Sequence, residues 1–166
     1  MIATAGALAA LADPWATAYN DNTVLQVGVV FLHLAGILFG GGAAVALDRA
    51  AFRASREGGA AGVRHLAELG ASHRVVLTGL GVTIVSGLLL FLADVETYFG
   101  SAVYWTKMAL FVVLLANGWM MQRTERRLAG NGADPSAWAA LRRQAAISLV
   151  LWFAVLLGGV AVVNAS

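Results

Sequence analysis

The 166-residue sequence has no cysteine, two prolines and three histidines, and only 12% of it is charged. Without Cys there is no disulfide, no thiolate metal site and no Cys nucleophile. Soluble domains carry about a quarter charged residues. With 60% of the residues hydrophobic, a soluble fold of this length would lack the polar surface to cover itself. HExxH, P-loop and GxGxxG patterns are all missing, no carboxylate pair lies inside an apolar run, and the lone serines have no base nearby in sequence. Hydrolase and NTPase chemistry therefore has no support, and a non-enzymatic role is the better expectation.

What is present is a set of four apolar runs. Residues 24–47 contain one ionisable group, His33; residues 75–93 contain none; residues 102–121 contain only Lys107; residues 145–163 contain none. Each approaches the ~20 residues that cross a hydrocarbon core as a helix. Helices are expected because the backbone must satisfy itself in lipid, and no alternating strand pattern argues for a barrel. The expected fold is an all-α integral membrane four-helix bundle with antiparallel neighbouring spans. The domain runs over 24–166, with spans at about 24–47, 75–98, 102–122 and 142–163, after an extracytoplasmic segment 1–23. Residues 2–12 are apolar and Ala-rich but too short to span, and no Lys or Arg precedes Arg49. They are expected to form an outer-face helix or a frayed tail rather than a cleaved signal.

The basic residues orient the chain. All ten Arg lie around the first and third loops: Arg49, Arg53, Arg56, Arg64 and Arg74, then Arg123, Arg126, Arg127, Arg142 and Arg143. The positive-inside rule puts these loops in the cytoplasm, so both termini are outside. The high pI near 9.5 has this origin and does not point to nucleic acid. The expected location is a bacterial inner membrane. The bilayer is the expected partner, with other membrane subunits or a second copy as further candidates. Asp134-Pro135 predicts an N-cap followed by proline at the first helical position, opening the last helix before it enters the membrane. Gly58-Gly59 breaks the first loop, and residues 63–69 are expected to form a short interfacial helix.

Ionisable groups in lipid are costly and so are the informative ones. His33 lies roughly 12–14 Å into the first span at 1.5 Å per residue. It is either a ligand for haem iron or copper, or a histidine hydrogen-bonded to a Ser, Thr or carbonyl of a neighbouring helix. Met108 falls at a comparable depth and could be a thioether ligand or ordinary packing. His73 opens the second span at the opposite edge, so a bis-His haem with His33 in one subunit is disfavoured. Asp94 and Lys107 are equidistant from the Gly100-Ser101 tip, which suggests an ion pair or a snorkelling lysine. Asp48 and Arg74 meet at the cytoplasmic face and suggest a second pair. Gly36, Gly40 and Gly87 are small surfaces for close helix packing, and Asn117 is expected to hydrogen-bond between helices. Tyr98, Tyr104, Trp105 and Trp15 fit an outer aromatic belt, and Trp119 and Trp138 an inner one.

Several of these motifs together resemble the four-helix membrane domain of bacterial copper-resistance D (CopD-like) proteins and related small membrane proteins. They are His33-Leu-Ala-Gly-Ile-Leu-Phe-Gly-Gly, Val85-Ser-Gly-Leu-Leu-Leu, Tyr104-Trp-Thr-Lys-Met-Ala-Leu-Phe with Asn117 and Arg123 beyond, and Leu141-Arg142-Arg143. The resemblance covers roughly residues 24–163 and implies copper handling in or across the inner membrane. It departs at two points. No Met-rich or His-rich extracytoplasmic segment is present, and the acidic residue expected early in the last span is Ser148 or absent. Four-helix b-type cytochromes are similar in architecture only. The resulting expectation is a metal centre, copper or haem b, near His33 in the outer half. The alternative is an accessory subunit of a larger membrane complex. A transporter ranks last, because the inner halves of the spans read as apolar.

Overall fold

A computed structural model describes residues 2–68 and 70–165. Among these there is no strand, and four helices are long and apolar enough to cross a membrane: Thr23–Glu57, Ser72–Ala93, Ala102–Gly130 and Pro135–Asn164. The complete order is α1 (Ile2–Asn20), α2 (Thr23–Gly36), a π-helical turn (Ile37–Gly41), α3 (Gly42–Glu57), α4 (Gly59–Glu68), α5 (Gly70–Ala93), α6 (Val95–Gly100), α7 (Ala102–Gly130) and α8 (Pro135–Ala165). The first apolar helix thus comprises α2, the π turn and α3, run together.

Capping residues set the ends. Asn22 accepts the Leu25 N–H at 3.1 Å and starts α2. Asp94 accepts the Thr97 N–H at 3.2 Å and starts α6. This ends the second apolar helix at Ala93, not at residue 98, because a capping aspartate is half outside the helix it opens. Ser101 caps α7 through the Tyr104 N–H at 3.2 Å. Asp134 accepts the Ser136 and Ala137 N–H groups at 2.9 and 3.2 Å, and Pro135 opens α8. The chain turns from α3 into α4 through Gly58 and Gly59, both at positive φ, where side chains are strained. Leu69, expected to close α4, lies outside the described residues.

Packing is uneven along the long axis. At the end that carries the arginines, α3, α4, α7 and α8 enclose one apolar core of Ala51, Ala54, Met121, Leu128, Ala137, Trp138, Leu141 and Ala145. Trp138 belongs to this core and not to an aromatic belt: it is buried, and its Nε1 donates to the Gly132 carbonyl at 2.8 Å. Gly62 is required beside it, since a Cβ there would lie 2.7 Å from the indole and 2.6 Å from the Ala54 carbonyl. Along α7 the buried positions are Leu114, Asn117, Met121, Thr124 and Leu128, an alternating three- and four-residue spacing that makes one seam against α8.

The other half is thinner. Phe31, Leu34, Leu38, Val112, Phe153, Leu157 and Val163 all stand exposed there, as side chains do when lipid is the solvent. Contact between α2 and α5 is made through glycine. A Cβ at Gly79 would lie 2.5 Å from the Gly40 backbone, and one at Gly36 would lie 2.6 Å from Thr83 Oγ1. Gly36 and Gly40 are thus spent inside the chain, in backbone-to-backbone packing. Helix α1 lies across this end against α5 and α6, pinned by Trp15 Nε1 donating to the Leu89 carbonyl at 2.9 Å.

Candidate functional site

Two groups of polar side chains lie inside the spans, one in each half. The first is built on α2. His33 Nδ1 lies 3.0 Å from Ser86 Oγ on α5. The Ser86 hydroxyl donates to the Val82 carbonyl at 2.6 Å, so its proton is committed within its own helix. Ser86 Oγ is left as an acceptor toward the ring, and His33 therefore donates Nδ1–H. The Thr83 carbonyl lies 3.3 Å from Ser86 Oγ and offers that hydroxyl a second acceptor within its own helix. Gly87 makes room: a Cβ there would be 3.1 Å from His33 Cε1. The imidazole is thus held by its Nδ1 edge against α5, with the Nε2 lone pair turned away from that bond. The π turn begins four residues further on, at Ile37. Such turns insert one residue and re-aim a helix.

Lys107 is half-buried on α7. A Cβ at Gly158 would lie 3.2 Å from Lys107 Cβ, and one at Gly159 would lie 4.0 Å from its Nζ, so the lysine stem runs over the glycine pair of α8. Its charge acts electrostatically on the His33 ring. The expected Asp94–Lys107 ion pair is not formed. Asp94 is exposed and caps α6, while Lys107 is drawn toward α8. Met108, the next residue, is half-buried. Phe91, Tyr98 and Tyr104 cluster with centroids 5.4–6.4 Å apart, Phe91 stacked on Tyr104 and Tyr98 tilted against both. Burial holds the Tyr98 phenol above its usual range, with the neighbouring Asp94 and Tyr19 adding to it.

The second group lies at the arginine end. Asp48 on α3 is only 3% exposed, and its Oδ2 has no hydrogen-bond partner in the protein. Ser148 of α8 and Glu125 of α7 lie close enough to act on this carboxyl. Gln144, one turn before Ser148, also has a buried side-chain oxygen, Oε1, without a partner. Asn117 Nδ2 donates to the Gln144 backbone carbonyl at 3.0 Å, joining α7 to α8. His73 lies on α5 with Nε2 3.3 Å from Glu125 Oε2. The expected Asp48–Arg74 pair is likewise not formed, because Asp48 faces α8 while Arg74 is exposed. His73 and His33 lie in opposite halves and share no site. His65 sits on α4 with Nδ1 3.7 Å from Glu57 Oε2.

Asp48, expected in an interfacial ion pair, is instead buried near Glu125, and Gln144 and Glu125 carry no expectation from the sequence. One signal was present. Asn117 and Thr124 are seven residues apart, and Gln144 and Ser148 four apart, so each pair lies on one face of its helix.

Among the described residues, no three His, Cys, Asp or Glu side chains come together to hold a metal ion. No protein-family model matches the chain, and neither does any curated protein or solved structure.

Proposed function

We propose that the chain is a multi-pass protein of the bacterial inner membrane, a four-helix bundle with both termini outside, and that it binds Cu(I) in its outer half. The observation that carries this reading is the orientation of His33. Metal-ligating histidines characteristically donate one ring N–H to a fixed acceptor, which sets the tautomer and presents the other nitrogen. Here Ser86 Oγ, its own proton donated to Val82, is placed to accept from Nδ1–H, which would leave Nε2 its lone pair. His33 Nε2 would be the nitrogen ligand and the Met108 thioether the second donor. Cu(I) would supply a soft, redox-active centre with few ligand requirements.

The donor set favours this ion over the other candidates. A site needing three His or carboxylate ligands has no basis among the described residues. The nearby Lys107 ammonium opposes a dication more than a monocation. Haem b fits poorly beside His33, because α2 and α5 touch through glycine backbone one turn away. The CopD-like resemblance supports copper on separate grounds.

Cu(I) titration of the purified protein against a competing chelator tests the reading. The expected result is one tightly held ion per chain, lost in His33→Ala with insertion unchanged and weakened in Met108→Leu. Equal binding by the wild type and His33→Ala would overturn it. A haem absorption spectrum in the purified protein would also reject it.

A further inference from the structure

The group at the arginine end raises a separate question, because two oxygen acceptors are buried there without a donor. A carboxylate removed from water is costly unless a positive charge or hydrogen-bond donors compensate it. Ser148 of α8 brings a hydroxyl to the neighbourhood of Asp48, and Asp48 Oδ2 has no partner. The ionised groups around it do not compensate. Glu125 of α7 is itself acidic. Arg74 of α5 and Arg142 and Arg143 of α8 are exposed. On Asp48's own helix, Arg49 and Arg53 are exposed as well. His73 of α5 faces Glu125, and His65 of α4 faces Glu57. Gln144 Oε1 repeats the deficit from the facing helix, one turn from Ser148. Two orphan acceptors, a hydroxyl and an excess of negative charge make a surrounding that calls for one small positive charge.

We propose that Asp48, Gln144 and Ser148 form a binding site for one small monovalent cation, a proton or an alkali ion of sodium size. A proton on Oδ2 turns the carboxyl into a donor, while a sodium ion would take the carboxylate, amide and hydroxyl oxygens as hard ligands. On the neighbouring helices, the His73–Glu125 contact lines a groove of about 400 Å³ together with Gln122 and Arg126. This site is independent of His33, which lies in the other half.

Infrared difference spectroscopy on the detergent-solubilised full chain tests the proposal. In sodium-free buffer at neutral pH, a protonated-carboxyl stretch is expected; it should disappear in Asp48→Asn and shift in Ser148→Ala. If the alkali ion is preferred, millimolar sodium should abolish the band, whereas potassium or choline should not. Persistence of the band in sodium identifies the proton as the occupant. Should Asp48→Asn fail to fold, Gln144→Ala serves for assignment, since losing the facing oxygen moves the same band. An Asp48 carboxylate that is fully ionised in sodium-free neutral buffer and indifferent to sodium would overturn the proposal.

Discussion

The two halves of this molecule solve the same packing problem in different ways. At the arginine end, four helices close on Leu128, Leu141, Ala54 and Ala145, all at 0% exposure, much as a soluble core would. In the opposite half, α2 and the π turn meet α5 backbone to backbone at Gly36, Gly40 and Gly79, while Phe31, Leu38 and Leu157 face outward. Where lipid is the solvent, expelling apolar groups from water no longer drives helices together, and close contact takes over. The difference shows why the polar groups sit where they do. The glycine contact brings Ser86 and Gly87 up to the His33 ring, and the enclosed end buries Asp48.

The comparison can be broken by equal truncations in the two halves. Leu128→Ala or Leu141→Ala should cost about 2–5 kcal/mol, as cavities in close-packed cores do. Leu157→Ala, in the exposed half, should cost about 0.5 kcal/mol or less. Unfolding in mild detergent followed by circular dichroism measures both, and equal losses would dissolve the distinction. Next in size is Gly79→Val, whose side chain must displace the Gly40 backbone; a loss of about 1–3 kcal/mol is expected. It should also weaken Cu(I) binding, because α2 carries His33.

A smaller effect is expected from Ser86→Ala. Losing one hydrogen bond in the spans costs about 1 kcal/mol. If the metal reading is right, Cu(I) affinity should fall by about 10–100-fold, as it does when an orienting partner is removed. The smallest effect concerns Asp134. Its carboxyl is held below the usual range by the Ser136 hydroxyl first, then by the Ala137 and Ser136 N–H groups and Arg127. A depressed folded pKa means that the cap stabilises α8 above the ordinary carboxylate range and is lost as pH falls through the folded value. The acid limb of the stability curve should therefore flatten slightly in Asp134→Ala.

Much of this arrangement is written locally. Four apolar runs announce four long helices, and Asp134-Pro135 announces the start of α8, because length, hydropathy and capping depend on neighbours in sequence. The end of α5 was misjudged by five residues because Asp94 reads equally well as a helical residue and as a cap. The fate of Asp48 was not legible at all. It depends on the rotation of α3 against α8, which the π turn at Ile37–Gly41 sets by inserting a residue. The same holds for Lys107, whose placement depends on a glycine pair fifty residues away in sequence. The His33–Ser86 bond stood among the sequence alternatives only as a generic Ser or Thr contact.

The central claim is the tautomer of His33, and NMR of the isotopically labelled ring nitrogens addresses it directly in the metal-free protein. The Ser86 contact predicts a protonated Nδ1 and an unprotonated Nε2, with the Nε2 resonance moving when Cu(I) is added. A proton resident on Nε2, or a ring whose two nitrogens are both unmoved by Cu(I), would contradict the account.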